Sequence, residues 1–321
     1  MKFPHIIAMM LAAQLAVAQA ASDEAEGPGK LYVTSWFGGV VSVVDLKDRT
    51  VQKTIPVGVQ NHNVFLSPDK AQAWVTNNNE GTVSVIDTAS NEVVNTIRVG
   101  TGPRHTFFSP DGAEAYVTNE FDDTVSVVDS KKGVEAGTIA VGMMPHFAMV
   151  VGERLFVTNF GGRSVSVARR DARAVEATID VCAGPLGAGV TKDGNRIYVA
   201  CHASNEVAVI DGASLAVVAR IPTEPGPVQV TVAPGQKFAY VANDGRGSVQ
   251  KFDLATNKIV NTIRIANDAG SHGVAFNPDG KLLFITNTGA STVSIIDTET
   301  DKVIDTVKVA TGPEGIAYKR P

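Results

Sequence analysis

Histidine, glutamate and arginine recur at one position of this chain, directly after a Gly-Pro dipeptide or its counterpart. In chain order, the residues at this position are His62, Arg104, His146, Leu186, Val228, His272 and Glu314. The chain has six histidines, and three of them stand here. Imidazole and carboxylate groups are ligands that divalent transition metals accept in proteins. The pattern therefore predicts a metal or ligand site, provided that the fold brings these positions together.

We assign His62, His272 and Glu314 to a metal ion. Two imidazoles and one carboxylate suit Zn²⁺, Cu²⁺ or Fe²⁺. The alternative is a polar channel opening filled with water, since buried or half-buried polar sites commonly hold ordered water.

A second set of residues is assigned to a small ligand at the same place. Arg104 can bind a carboxylate or phosphate group through its guanidinium. His105, one position further along, and His146 are the other candidates. Aligning His146 with the other positions requires a gap of two residues. Leu186 and Val228 are apolar and have no predicted ligand role.

The elements that position these residues follow from an internal repeat of 40–44 residues. The motif Tyr-Val-Thr-Asn, or a close variant, begins at residues 32, 74, 116, 156, 198, 240 and 284. A run such as VSVVD follows nearly every copy, and Pro-Asp-Gly turns separate several of the strands. Valine, isoleucine, threonine and aromatic residues favour strands, whereas proline, aspartate and glycine favour turns. Four short strands per repeat predict the blade of a β-propeller, with little helix.

These motifs resemble the YVTN family of bacterial, exported β-propeller repeat proteins. The resemblance covers essentially the whole chain after its first thirty residues and implies an all-β, seven-bladed propeller with four antiparallel strands per blade. Related propellers act as lactonases and lyases or bind haem d1, so the resemblance leaves the activity open.

The two ends of the chain predict how the ring closes. The first Tyr-Val-Thr motif lacks an innermost strand before it, and the segment from Gly312 to Tyr318 resembles such a strand. We therefore expect the C-terminal strand to complete blade one, which removes the exposed sheet edges of an open array.

The N-terminal residues are typical of an export signal. Residues 1–20 combine a short basic start, an apolar run and Ala18-Gln19-Ala20, which predicts a signal peptide cleaved before Ala21. Residues 21–30 are interpreted as a flexible leader and residues 31–321 as the propeller. No transmembrane segment is predicted, and the expected location is the periplasm or the exterior. A net charge of −5 disfavours nucleic acid as a partner.

Cys182 and Cys201 are the only cysteines in the chain. In an exported protein, a disulfide between them is expected. The alternative is a thiolate site formed by Cys201 together with His202.

The sequence favours a binding or scaffold protein over an enzyme. It is expected to be a monomer that presents its channel to a metal ion, a small anionic ligand or a partner protein. A metal-assisted lactonase or lyase is the second hypothesis, with His146 or His105 as the general base. Tetrapyrrole binding through one axial histidine is the third.

Overall fold

Short strands make up nearly all of the computed structural model, which describes residues 28–265 and 270–321. Within these ranges the helices are single 3-10 turns, Asn78–Glu80 and His202–Ser204. Neither is long and apolar enough to cross a membrane. The predicted scarcity of helix is confirmed. The predicted signal peptide, and residues 21–27 of the predicted leader, lie outside the described residues.

Four of the seven blades are formed by the first half of the chain and by its last strand. The strands of blades 1 to 4 are, in chain order, β1 (Lys30–Ser35), β2 (Val40–Asp45), β3 (Thr50–Pro56), β4 (Asn61–Leu66), β5 (Gln72–Asn77), β6 (Thr82–Asp87), β7 (Glu92–Arg98), β8 (Pro103–Phe108), β9 (Glu114–Asn119), β10 (Thr124–Asp129), β11 (Val134–Ala140), β12 (Pro145–Val151), β13 (Arg154–Asn159), β14 (Ser164–Arg169) and β15 (Ala174–Asp180).

The second half of the chain forms blades 5 to 7 and returns to blade 1. Its strands are β16 (Pro185–Val190), β17 (Arg196–Cys201), β18 (Glu206–Asp211), β19 (Val217–Pro222), β20 (Pro227–Val232), β21 (Phe238–Asn243), β22 (Ser248–Asp253), β23 (Lys258–Arg264), β24 (Ser271–Phe276), β25 (Leu282–Asn287), β26 (Thr292–Asp297), β27 (Lys302–Lys308) and β28 (Pro313–Lys319). Each blade of the described chain is a four-stranded antiparallel sheet. The predicted seven-bladed propeller is confirmed.

The ring closes through β28, which pairs with β1 in the sheet order β28-β1-β2-β3. Leu31 lies opposite Tyr318 in this pairing, and the Trp36 N–H donates to the Gly312 carbonyl at 2.8 Å. The C-terminal strand therefore completes blade one, as predicted. Lys30, expected at the end of the leader, is already the first residue of β1.

The apolar core lies between the blades. Each of seven clusters of buried side chains joins two neighbouring blades. The cluster between blades 7 and 1 packs Leu31 and Val33 against Phe284 and includes Ile316 of the closing strand. Because each blade packs on two neighbours, loss of one innermost strand affects two interfaces.

Threonine hydroxyl groups of the repeat motif link neighbouring blades. In blade 3, Thr118 Oγ1 accepts the His105 N–H at 3.1 Å and donates to the His146 carbonyl of blade 4 at 2.8 Å. Equivalent bridges to the next blade are made by Thr34, Thr76, Thr158 and Thr286. Alanine replaces this threonine in blades 5 and 6, at positions 200 and 242.

Deleting Gly312–Pro321 should strongly destabilise the protein, although these residues form the end of the chain. The deletion exposes β1 and the cluster between blades 7 and 1, and Ile316 alone contributes about 1.5–3 kcal/mol through burial. Thermal unfolding followed by circular dichroism measures the effect. Deletion of only Arg320 and Pro321, which are exposed and follow β28, is the control and should leave the melting temperature unchanged. Equal melting of both truncated proteins would contradict ring closure.

Replacing Thr118 with valine should lower the free energy of unfolding by about 1–3 kcal/mol, because a buried N–H and a buried carbonyl lose their shared partner. Denaturant unfolding measures this difference. Thr118→Ser keeps the hydroxyl and is the matched control. If valine leaves the free energy of unfolding unchanged, the hydroxyl bridge does not stabilise the protein; any loss in Thr118→Ser reports the methyl group alone.

Candidate functional site

The candidate residues lie in a bulge just after the first residue of each innermost strand. In β8, pairing with β9 is interrupted between Pro103 and Thr106, so Arg104 and His105 lie outside the ladder. Corresponding interruptions contain His62, His146, His272 and Glu314. The motif threonine accepts an N–H of the bulge, as Thr118 does from His105. A bulge redirects side chains, and here it brings these residues to the central channel.

His62 is the centre of two overlapping groups of potential metal ligands. One group is His62, His105 and His146, and the other is His62, His272 and Glu314. Within each group, one ligand atom from every residue lies within 4.8 Å of the others. The structure therefore brings together the residues predicted for the metal, and it adds two histidines predicted only for the ligand.

Two glycines permit the close approach of the innermost strands around Glu314. A Cβ at Gly273 would lie 2.1 Å from the Glu314 carbonyl oxygen, and one at Gly315 would lie 2.7 Å from the Asn63 Cα atom. Any side chain at either position would push neighbouring blades apart. These glycines hold His272, Glu314 and His62 within reach of one ion.

Main-chain carbonyls orient the histidine rings. His62 Nδ1 lies 3.2 Å from the Arg104 carbonyl, and His105 Nδ1 lies 2.9 Å from the His146 carbonyl. His272 likewise hydrogen-bonds to the Glu314 backbone. A carbonyl can only accept, so Nδ1 of His62 and His105 carries the proton and Nε2 keeps its lone pair. Metal-binding histidines typically have such a partner on the other ring nitrogen.

Burial keeps the whole cluster uncharged near neutral pH. Burial lowers the pKa of His105 to about 3 and that of His272 to about 4. Burial first, and then nearby Arg104 and other histidines, hold the pKa of His62 and of His146 well below 6.5. Burial also raises the pKa of Glu314 to about 8. The 3.5 Å contact between His62 Nε2 and Glu314 Oε2 therefore joins two neutral groups.

Two polar atoms of the cluster are buried without a hydrogen-bond partner. They are His146 Nδ1 and Glu314 Oε2. Unpaired buried polar atoms are costly and are rare in folded proteins. Both atoms belong to groups that can bind a metal, so the donor set fits an ion in this position.

His146 occupies the predicted position despite the gap needed to align it. Pro145 pairs with Asn159 as Pro103 pairs with Asn119 in blade 3. The two-residue gap in the alignment falls in the turn between β12 and β13, which is short because Val151 pairs directly with Arg154.

The guanidinium group of Arg104 is already bound by other side chains. Its guanidinium makes two contacts of 2.5 Å with Glu120 and lies over the Trp36 ring, 5.4 Å from the ring centroid. Trp36 in turn lies edge-on to His62, with the ring centroids 5.8 Å apart. Arg104 thus has a carboxylate partner already, which reduces its capacity to bind an anionic ligand.

A second position of the repeat near the channel was not recognised by the sequence reasoning, which considered only its member His202, as a partner of Cys201. It is the residue directly after the Tyr-Val-Thr-Asn motif, which is Trp36, Glu120, His202 and Asp244 in blades 1, 3, 5 and 6. His202 Nε2 lies 3.3 Å from both Asp244 carboxylate oxygens, and this hydrogen bond raises the pKa of His202. Variation at this position of the repeat was visible in the sequence and is the signal that could have identified it.

Cys182 and Cys201 form a disulfide in blade 5. Cys201 is fully buried at the end of β17, and His202 points to Asp244 instead. A thiolate site built from Cys201 and His202 is therefore incompatible with this arrangement.

The fold defines a seven-bladed propeller, and its bulged innermost strands bring histidine and glutamate side chains to the channel. The chain belongs to the YNCE-like β-propeller family, whose model matches residues 154–321. The model of the lactonase family of seven-bladed propellers matches residues 28–146. No curated protein matches the chain.

Solved structures of other propellers are similar in fold. Hydrazine synthase of Kuenenia stuttgartiensis is 21% identical with a TM-score of 0.74, covering 81% of this chain and 95% of that one. A functionally unknown protein from Desulfotomaculum acetoxidans is 16% identical with a TM-score of 0.81, covering 91% and 99%. The dihydro-heme d1 dehydrogenase NirN in complex with DHE is 16% identical with a TM-score of 0.70, covering 90% and 75%. These likenesses establish the fold alone.

Replacing Glu314 with glutamine should change how stability depends on pH. The folded protein keeps a proton on Glu314 up to about pH 8, whereas the unfolded chain releases it near pH 4.5. Between these values the folded state binds more protons, so this group contributes stability at low pH that is lost as pH rises. The glutamine variant should therefore gain up to about 1.4 kcal/mol per pH unit relative to wild type.

Denaturant unfolding of both proteins at pH 5, 6, 7 and 8, with chelator present, measures this difference. Parallel stability curves would mean that Glu314 is ionised in the folded protein throughout the range.

Proposed function

We propose that this protein is a β-propeller binding protein that holds a divalent transition-metal ion in its central channel. The observation that carries the proposal is the convergence of His62, His105, His146, His272 and Glu314, with ring nitrogens oriented by main-chain carbonyls. Neutral imidazoles can bind a metal without first losing a proton. Zn²⁺, Cu²⁺ and Fe²⁺ all accept such donors.

An exported location agrees with this proposal. The disulfide between Cys182 and Cys201 is of a kind that persists in oxidising compartments. Together with the predicted signal peptide, it supports a periplasmic or secreted metal-binding protein.

Metal-assisted hydrolysis, as in a lactonase, is a second candidate, favoured by the pair His202 and Asp244. Both side chains are partly exposed, and the charge of His202 acts on both His146 and His272. Burial holds the pKa of His105 at about 3, which makes His105 a poor base at neutral pH. His202, whose pKa is raised by Asp244, would be the better proton acceptor if a metal ion held by the cluster supplied an activated water. Loss of lactone hydrolysis in the metal-loaded His202→Ala variant, with metal affinity retained, tests this role.

Tetrapyrrole binding through an axial histidine has less support. His62, His105 and His146 are only 2%, 5% and 6% exposed, so none of these three imidazoles could reach a macrocycle outside the channel. The cavity of about 290 Å³ beside them is at the lower limit for drug-sized ligands.

Replacing His62 with alanine should lower metal affinity by at least about 100-fold, because His62 belongs to both ligand groups and loss of a residue that merely orients a metal ligand already costs about 10–100-fold. Titration calorimetry with Zn²⁺, Cu²⁺ and Fe²⁺ measures the affinity. His105→Ala and His272→Ala identify the group in use, since only one of them should weaken binding strongly.

Leu186→Ala is the matched control, because Leu186 occupies the same position of the repeat in blade 5 and offers no ligand atom. It should bind metal as wild type does. A wild-type protein that binds none of the three ions, or equal affinity of the His62 and Leu186 variants, would refute the proposed function.

A further inference from the structure

The metal-binding cluster lies at one end of a cavity whose other walls are mainly apolar. The cavity has a volume of about 290 Å³ and is lined by His62, His105, His146, His272 and Glu314 at that end. Phe65, Phe107 and Phe147 form a row of rings along one side, with centroid separations of 4.7 and 4.5 Å. The opposite side is lined mainly by aliphatic residues, among them Val190, Val228, Val230, Val232 and Val274.

The last residues of two innermost strands that line the cavity are more exposed than the first residues of these strands. In β20 and β16 the first residue, Pro227 or Pro185, is buried, whereas the last, Val232 or Val190, is half-buried. A ligand that enters from the side of these last residues meets the apolar walls first and the histidines last.

A divalent metal ion bound in the cavity would need one further anionic group to balance its charge. Glu314 is the only acidic residue among the described residues that line it, and these include no lysine or arginine. A divalent ion bound with ionised Glu314 therefore leaves one uncompensated positive charge in a poorly solvated place, where charges interact strongly. Either ligand group supplies three protein donors, which leaves a coordination position for an external ligand.

We propose that this cavity binds a small organic monoanion, a carboxylate with an aromatic or branched apolar body. The inference rests on the proposed metal site. The carboxylate binds the metal, and the apolar body lies between Phe107 and the valines of blades 5 and 6. A cavity of 150 Å³ accommodates benzene, so about 290 Å³ accommodates a body of about twelve non-hydrogen atoms.

Benzoate and acetate are the probes that test this proposal. The Zn²⁺ affinity of each protein is measured first, and the Zn²⁺-loaded protein is then titrated with each probe by calorimetry. Benzoate should bind at least about tenfold more tightly than acetate, because its ring is transferred to an apolar wall. Benzamide, which has the same shape without the charge, should not bind.

Thr231→Phe is designed to fill the cavity from its half-buried wall. It should weaken benzoate binding at least tenfold while the affinities for Zn²⁺ and acetate stay unchanged. Val232→Phe, at the last residue of β20, serves the same purpose if the first variant does not fold. Thr50→Phe, on the exposed outer strand of blade 1, is the control and should bind benzoate as wild type does.

The outcomes separate this proposal from the proposed function. Zn²⁺ binding with equal or absent affinity for benzoate and acetate overturns the ligand proposal and leaves the metal site standing. Benzoate binding that is unaffected in a folded cavity-filling variant also overturns it. Absence of metal binding in wild type overturns both.

Discussion

In five of the seven blades of the described chain, the threonine hydroxyl of the repeat motif is the interaction that joins the candidate site to the ring. In blade 3 the hydroxyl of Thr118 accepts the N–H of His105, which has no partner in the sheet ladder because of the bulge. The same hydroxyl donates to the His146 carbonyl of the next blade. The same oxygen therefore stabilises the bulge and joins two blades. Without the bulge, the innermost strand would return to regular alternation, and neighbouring side chains would point to opposite faces. The geometry of the ring and that of the site are consequently coupled.

The two blades without this threonine keep a bulge in the innermost strand, but they differ in the residues that the bulge carries and in how the neighbouring blades are bridged. Alanine stands at positions 200 and 242, and the strand entries of these blades carry Leu186 and Val228 rather than ligand residues. Here the side-chain amide of Gln229 donates to the Val230 carbonyl and lies 3.5 Å from the Ala188 carbonyl of the neighbouring blade. The part of the ring that lacks threonine bridges is thus the part whose strand entries carry no candidate metal ligand.

The repeat made the fold and the position of the candidate residues predictable, because equal spacing places equivalent residues at equivalent points of a closed ring. Their burial and protonation were not predictable in this way. The partners of His62 and His105 are main-chain carbonyls of the next blade. Every residue type has a main-chain carbonyl, so the sequence cannot identify these partners. The pairing of Arg104 with Glu120 joins two different positions of the repeat, so comparison within one position could not reveal it.

The location of the site also explains how one repeat can tolerate such different residues. The motif strands contribute Tyr32, Tyr116 and Phe156 to the packed interfaces between blades, where a change of volume is costly. The bulged residues belong to the edge of each sheet that faces the channel, and in the five blades that carry the threonine its hydroxyl satisfies the backbone there whatever the bulged side chain is. Selection can therefore change ligand chemistry at this edge without rebuilding the blades. A metal bound by His62 would in turn tie blade 2 either to blades 3 and 4 or to blades 7 and 1, depending on which of the two ligand groups holds it.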